Sequence, residues 1–349
     1  MKIAQVAPLF ESVPPRLYGG TERVVSYLTE ELVRLGHEVT LYASGDSRTS
    51  ARLVPLCREA LRLDPGCRDP LARHVCLLER VFQDMPGYDC VHFHVDYLHF
   101  PYLRRHPHPH VTTLHGRLDL PELADLYREF REMPVCAISE SQKRPIPWAN
   151  WVGTVHHGLP LDLHRFRPGS GRYLAFLGRI SPEKRVDRAI EIAVRAGLEL
   201  KIAAKVDKAD EVYFRERIQP LLRHPLVDFV GEIGEDRKGE FLGDALALLF
   251  PIDWPEPFGL VMIEAMACGT PVVAYRCGSV PEVVEDGVTG FIVDGVDQAV
   301  AAVERVGRLD RRRIRRVFEE RFSARRMAMD YVKIYESLAW SARRPRLAA

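Results

Sequence analysis

A pair of doubly wound α/β domains with parallel sheets is the fold class this sequence predicts, and three observations predict it. Short apolar runs alternate with amphipathic stretches along the chain, the pattern of parallel strands joined by helical crossovers. The alternation lapses at Leu161–Gly171, where Arg165, Arg167, Pro168 and Gly169 fall without periodicity, and it resumes at Tyr173. The chain has 349 residues, and at roughly 150 residues per domain that is room for two, each able to bury a core without a metal or disulfide staple. The expected division is 1–160 for the first domain, 161–171 for a linker, 172–324 for the second domain, and a final helix over 325–349.

In chain order, the first domain should hold strands at Ile3–Pro8, Glu38–Ala43, Cys90–His94, Val111–Leu114, Val135–Ser139 and Gly153–His156. Its clearest helix runs from Thr21 to Leu35, where Gly36 supplies the stop. Leu9–Tyr18 and Arg48–Pro70 read as loops. In the second domain strands are expected at Tyr173–Leu177, Leu200–Ala204, Val227–Val230, Ala247–Pro251, Val272–Tyr275 and Phe291–Val293. From Phe318 the chain reads as helix to about Trp340. Met327, Tyr331, Ile334, Tyr335 and Leu338 form one apolar stripe on it, able to dock on either domain.

Composition is that of an ordinary globular protein, 46% hydrophobic and 28% charged. A net charge of +1, from 49 basic and 48 acidic side chains, gives no global field for nucleic acid. Basic residues do gather near the C-terminus, at Arg311, Arg312, Arg313, Arg315, Arg316, Arg325 and Arg326. They read as a solvated helix face or as a patch for peripheral contact with a membrane surface. The seven cysteines contain no Cys-x-x-Cys pair, and several sit in apolar runs, as Cys136 and Cys268 do, so free thiols in a reducing compartment are expected. The apolar run at Met1–Pro8 is too short for a signal peptide, and no stretch approaches the roughly 20 apolar residues of a membrane span; the expectation is a cytoplasmic protein.

Ligands of open α/β sheets bind beyond the carboxyl ends of the strands, which directs attention to the residues there. After the strand ending near Ile252, a loop carries Asp253 and Glu256, and a helix is expected from Phe258 to Cys268 with Gly269 as its cap. That helix is apolar all round except at Glu264. An ionised carboxylate there needs a partner; a ligand diol such as a ribose would serve, and so would an arginine or a backbone turn. Glu256 should face the same crevice, although a loop glutamate alone is usually just solvated.

A second segment runs Gly178-Arg179-Ile180-Ser181-Pro182-Glu183-Lys184. Ser181 and Pro182 suit a helix start, which puts Lys184 in a first turn where the helix dipole disfavours a cation. An anion bound at that helix start, reached also by Arg179, would explain it; the alternative is a surface lysine paired with Glu183 or Asp187. Tyr18-Gly19-Gly20-Thr21-Glu22 joins a strand loop to the first helix and admits a close ligand approach or a plain tight turn. His92, His94, His99, His106, His108, His110 and His115 are dense but lack metal-ligand spacing. His115 stands apart because it ends a strand and precedes Gly116, and its pattern alone leaves structural and functional roles level.

Together these segments resemble the retaining glycosyltransferases of family 4, which have two Rossmann-like domains facing across a cleft, the GT-B fold. Glu256-Pro257-Phe258-Gly259 with Glu264 matches the family's paired-glutamate motif, and Gly178-Arg179 with Pro182-Glu183-Lys184 its phosphate-binding segment. Cys277-Gly278-Ser279-Val280-Pro281-Glu282 and Glu285-Asp286-Gly287-Val288-Thr289-Gly290 resemble the blocks that follow. The resemblance implies transfer of a sugar from a nucleotide-diphosphate sugar to an acceptor hydroxyl with retention. It assigns Arg179 and Lys184 to the diphosphate, Glu264 to the ribose, and Glu256, with Phe258 and Gly259 beside it, to the transferred sugar. Gly19 and Gly20 would lie by the phosphate or acceptor, His115 would approach the sugar, and the final helix would cross back to the first domain. Fixed cations at these positions imply no cofactor and no required metal.

Two departures stand out. His157-Gly158-Leu159-Pro160 replaces the family's usual Asn-Gly-Val-Asp, and Lys205 ends a strand where relatives have a glycine-rich turn, so its charge could supply a phosphate contact. Two other functions fit the architecture, a nucleotide-sugar epimerase and a non-catalytic two-lobed sugar-binding protein. The sugar, the base, the acceptor (a saccharide, a lipid-linked or a small molecule) and the oligomeric state stay open.

Overall fold

The computed structural model describes residues 1–16, 19–169 and 171–343. Tyr18 of the glycine turn, one residue of the expected linker (Ser170) and residues 344–349 of the expected final helix lie outside the described residues. The chain divides into two compact units, Met1–Gly158 with the chain from Ala324 onward, and Leu159–Ser323.

The first unit is built on seven strands: β1 (Lys2–Val6), β2 (Glu38–Ala43), β3 (Arg52–Pro55), β4 (Cys90–Phe93), β5 (His110–Thr113), β6 (Val135–Ala137) and β7 (Trp151–Thr154). Their order is β3-β2-β1-β4-β5-β6-β7, every pairing parallel. Central strands buried on both faces need continuous apolar runs, and Ile3, Ala4 and Val6 of β1 and Cys90, Val91 and Phe93 of β4 are fully buried. The helix Gly20–Arg34 closes as Gly36 implies: its N–H bonds Val33 O at 2.9 Å, and its φ of 85° suits glycine. Edge strand β3 falls inside a segment read as loop, because only partial burial and a terminal proline leave its four residues no clean alternation.

The second unit carries six strands: β8 (Tyr173–Ile180), β9 (Leu200–Val206), β10 (Val227–Gly231), β11 (Ala245–Phe250), β12 (Val272–Tyr275) and β13 (Gly290–Val293). They order as β10-β9-β8-β11-β12-β13, again parallel throughout. β8 and β9 outrun their expected ends at Leu177 and Ala204. Arg179 and Lys205 therefore lie within strands, directly opposite each other in the ladder.

Two expectations need correction. The helix read as continuous from Phe318 is two helices, Arg311–Arg321 and Ala324–Arg343, separated at the buried Phe322 and Ser323. The second of them docks on the first unit, with Tyr331 and Tyr335 buried and Ile334 against Gly153. The stretch read as a linker is fastened to the second unit. The Arg167 N–H bonds Cys268 O at 3.1 Å and its guanidinium bonds Asp244 at 2.6 Å.

The arginine cluster is likewise partly structural. Arg311 bonds the carbonyls of Ala245 and Gly243, Arg315 those of His164, Ala267 and Leu161, and Arg326 those of His156 and His157. Arg312, Arg313, Arg316 and Arg325 remain exposed. Among the described residues all seven cysteines are unpaired, with Cys90, Cys136 and Cys268 buried and Cys76 exposed. No helix of the described residues is long and apolar enough to cross a membrane.

Candidate functional site

In the second sheet the strand order reverses between β8 and β11, so the loops after these strands leave in opposite directions and open a crevice at the carboxyl edge. Both motifs singled out in the sequence arrive there. Beyond β8, Pro182–Lys184 form a single 3₁₀ turn, Arg185 takes a left-handed conformation (φ 53°), and the helix Val186–Ala196 starts only after it. This corrects the expectation for Lys184, which precedes the helix and does not occupy its first turn. The dipole conflict inferred for it therefore does not arise. Arg185 is held in its strained conformation by Asp187 and Asp253, whose carboxylates it bonds at 2.8 Å each.

Lys184 instead crosses to the loop after β11 and donates to the Glu256 carboxylate, 72 residues along the chain. The ammonium also lies 5.0 Å from the Trp254 ring centroid, whose indole N–H donates to the same Glu256 oxygen at 2.9 Å. Both partners are largely buried, at 19% and 12% side-chain exposure, where a charge-assisted bond is screened little. Arg179 bonds Glu183 at 2.7 Å and approaches Asp207 at 3.5 Å and Asp210 at 3.8 Å. Lys205 bonds Asp207 at 2.9 Å. Burial would raise the Glu183 and Asp207 carboxyls; hydrogen bonds and the neighbouring cations outweigh it and hold both below their ordinary values. For Asp210 burial wins over Arg179, and its carboxyl is raised. The cations read from the sequence are thus present and charge-balanced by acids that the motif reading did not pair with them.

Two glycines shape the Glu256 loop. Gly259 (φ 78°) turns the chain into the helix Leu260–Ala267, two residues later than the expected start at Phe258. Phe258 is buried beneath. Gly278 (φ 55°) lies against the loop from the far side, its following residue Ser279 donating from N to Glu256 O at 3.0 Å and from Oγ to Phe258 O at 2.7 Å. The block Cys277-Gly278-Ser279 thus has a mechanical role that spacing alone does not reveal.

Glu264 is buried, as expected from its apolar helix, but the partner is internal: Lys238, on the helix Glu235–Gly243, donates to it at 2.9 Å and to Glu235 at 3.2 Å. Of the two kinds of partner the sequence allows for this carboxylate, a ligand diol or a group of the protein, the protein supplies one. A lysine 26 residues away could not be found by periodicity, because its helix follows a different strand. Among the described residues, His164, Glu235 and Glu264 form one group with ligand atoms within 4.8 Å of one another, and the Lys238 ammonium already bonds two of the three.

The candidates of the first unit form their own cluster. Gly19 begins the approach to the helix Gly20–Arg34, and a side chain there would meet Pro15 at 2.8 Å, so its smallness is needed by the protein's own loop. Gly20 is exposed. His115, half-buried just after β5, bonds His94 at 2.9 Å and stacks on His157 with ring centroids 5.4 Å apart. Gln142 straddles it, its amide donating to Leu114 O and Gly116 O at 2.8 and 2.9 Å. Desolvation by the packed rings lowers the His115 imidazolium to about 3, so the ring is neutral at physiological pH.

Two family models match the chain, Glycosyltransferase Family 4 over residues 18–190 and Glycosyl transferases group 1 over 165–320. D-inositol 3-phosphate glycosyltransferase of Streptomyces scabiei is 35% identical over 177 residues, 43% of this chain and 39% of that protein. The Mycobacterium tuberculosis (strain H37Ra) enzyme of the same name is 33% identical over 187 residues, 45% of this chain and 36% of its own length. The chain thus spans about two fifths of the length of these relatives. Among solved structures, sucrose-phosphate synthase from Thermosynechococcus elongatus superposes with a TM-score of 0.79 at 20% identity, covering 98% of this chain and 99% of that one. Anabaena Alr3699/HepE in complex with UDP and glucose gives 0.76 at 18% identity, covering 97% and 100%. These likenesses identify the two parallel-sheet domains as the GT-B fold.

Proposed function

Because this chain belongs to the family 4, or group 1, glycosyltransferases, we propose that it transfers a sugar from a nucleotide-diphosphate donor to an acceptor hydroxyl with retention of anomeric configuration. The observation that carries this reading is the meeting of Lys184 and Glu256 at the switch point of the second sheet. A diphosphate arriving there competes with Glu256 for Lys184 and with Glu183 and Asp207 for Arg179, while Lys205 lies next to Arg179 in the ladder. The exchange leaves Glu256 ready for the hydroxyls of the transferred sugar. Glu264, bonded by Lys238, accepts from the ribose. His115 serves as a hydrogen-bond partner of the sugar.

In the proposed reaction the acceptor oxygen bonds the anomeric carbon as the carbon–phosphate oxygen bond breaks. The acceptor proton passes to a leaving phosphate oxygen on the same face, so no protein base is needed. Fixed cations balance the charge that develops on the diphosphate, without a required metal. UDP is the nucleotide named for HepE, and a uridine diphosphate sugar is the first donor to try. The test is product analysis by NMR, with and without acceptor and with a chelator titration. An inverted linkage overturns the same-face step. Activity lost in EDTA and restored by Mg²⁺ overturns the fixed-cation step. Epimerised donor formed without acceptor replaces transfer by epimerisation.

A further inference from the structure

The first unit buries a continuous polar chain of which only the His94–His115 end has been described above. Gln5 on β1 and His92 on β4 are ladder partners, and His94 follows on the same face two residues later. Tyr331 and Tyr335, four residues apart on the helix Ala324–Arg343, reach down onto this face. Gln5, His92, Thr113, Cys136 and Tyr335 have no exposed surface at all. Polar groups so buried must be paired, and the pairs run in one line. Cys136 contacts Tyr331, Tyr331 lies 2.8 Å from Thr113 Oγ1, and Thr113 Oγ1 lies 2.7 Å from His92 Nε2. His92 Nδ1 is 2.7 Å from the Tyr335 hydroxyl, which is 3.2 Å from Gln5 Nε2. Gln5 Oε1 is 2.9 Å from His94 Nε2, and His94 Nδ1 is 2.9 Å from His115 Nε2.

The direction of this line follows from its closed end. The Ala137 carbonyl only accepts, and Cys136 Sγ, 3.6 Å away, donates to it. The sulfur therefore accepts from Tyr331, whose oxygen accepts from Thr113, whose oxygen accepts from His92 Nε2–H. A neutral imidazole has one N–H and one lone pair, and burial keeps His92 and His94 neutral. His92 Nδ1 thus accepts from the Tyr335 O–H, and the Tyr335 oxygen accepts from the Gln5 amide N–H. Gln5 Oε1 then accepts from His94 Nε2–H, which leaves His94 Nδ1 to accept from His115.

We propose that Gln5, His94 and Tyr335 are positioning residues that hold His115 as its Nε2–H tautomer, so that Nδ1 is presented as an acceptor to a hydroxyl of the transferred sugar. The helix Ala324–Arg343 is thereby wired to His115, within the same unit, through one proton's placement. The sugar's part in this rests on the function proposed above, whereas the tautomer is a property of the free protein.

The experiment is a long-range ¹H–¹⁵N correlation of the histidine rings in the full chain, followed by donor kinetics. In the wild type His115 is expected to carry its proton on Nε2; a proton on Nδ1 overturns the proposal without any variant. Tyr335→Phe removes the hydroxyl that orients Gln5, and should shift His115 to a mixture of tautomers or to Nδ1–H. It should also raise KM for the nucleotide sugar about tenfold, the scale of one hydrogen bond, with nucleoside diphosphate affinity unchanged. Gln5→Glu, protonated in this burial, repeats the amide's donor and acceptor pattern and should restore both readings relative to Gln5→Leu. Unchanged tautomer and KM in both Tyr335→Phe and Gln5→Leu overturn the positioning role. A wild type with the expected tautomer that binds no nucleotide sugar overturns the proposed function and the sugar's part in this inference, leaving only the tautomer.

Discussion

Gly278 lies so close to Glu256 that a Cβ on it would stand 2.4 Å from the Glu256 nitrogen and 2.5 Å from its carbonyl oxygen. No side chain fits that space, and the left-handed φ of 55° adds a second reason for glycine. The glutamate that crosses to Lys184 is therefore set in place by a backbone that presses on it from behind.

Gly278→Ala should displace the Glu256 loop while leaving the Arg179 side of the crevice intact. A misplacement of about 1 Å in a group that positions the substrate can cost on the order of 100-fold in rate. We expect kcat to fall on that scale, with nucleoside diphosphate affinity within about threefold of wild type. Equal losses in both quantities would mean that the loop also binds the diphosphate.

Lys184→Ala removes a charge-assisted contact and should weaken nucleoside diphosphate and nucleotide-sugar binding alike, by about 1.5–3 kcal/mol, or roughly 10- to 100-fold. Titration calorimetry reads it directly. Unchanged diphosphate affinity would show that Lys184 serves only to neutralise Glu256.

Glu264→Gln would leave Lys238 with Glu235 as its remaining carboxylate partner among the bonds described above. The loss should be about 1.5–3 kcal/mol of stability in the second unit, the scale of a hydrogen bond to a charged group. Adding Lys238→Met should recover part of it, because removing both ends of a buried pair costs less than removing one. Chemical denaturation of the two single variants and the double variant gives the coupling, and strict additivity would argue against the pair.

Acid should open the first unit before the second. Burial lowers His92, His94, His99, His110, His115 and His157, to about 4 for His110 and about 3 for His115, and all lie in the first unit. Their unfolded values lie near 6.5, so below about pH 6.5 the unfolded chain binds more protons. Their neutral burial is fully tolerated above that pH, and stability is lost as pH falls toward the lowered folded values. Each histidine contributes up to about 1.4 kcal/mol per pH unit across that window. Hydrogen exchange followed from pH 8 to 5 should show protection falling in β4 and β5 earlier than in β11 and β12. Parallel loss in both sheets would remove the histidines as its cause.

Much of this protein is determined by its sequence alone, because strand and helix periodicities and glycine punctuation are local. The alternating runs place nearly every strand of both sheets within a few residues, and Gly36 and Gly269 mark helix ends where the backbone turns left-handed. The motif positions Arg179, Lys184 and Glu256 are equally local, since each follows or ends a strand. Only the tertiary structure decides what those charges meet. Glu256 bonds Lys184 from 72 residues away, and Lys238 reaches Glu264 from another helix. Tyr335 meets His92 across 243 residues. Partner choice for a buried polar group depends on which strand ends and helix faces the topology makes neighbours, and residue spacing carries no record of that. The docking of the final helix is open in the sequence for the same reason: its apolar stripe shows that it must be covered, and His92, packed against Tyr331 and Tyr335, shows by what.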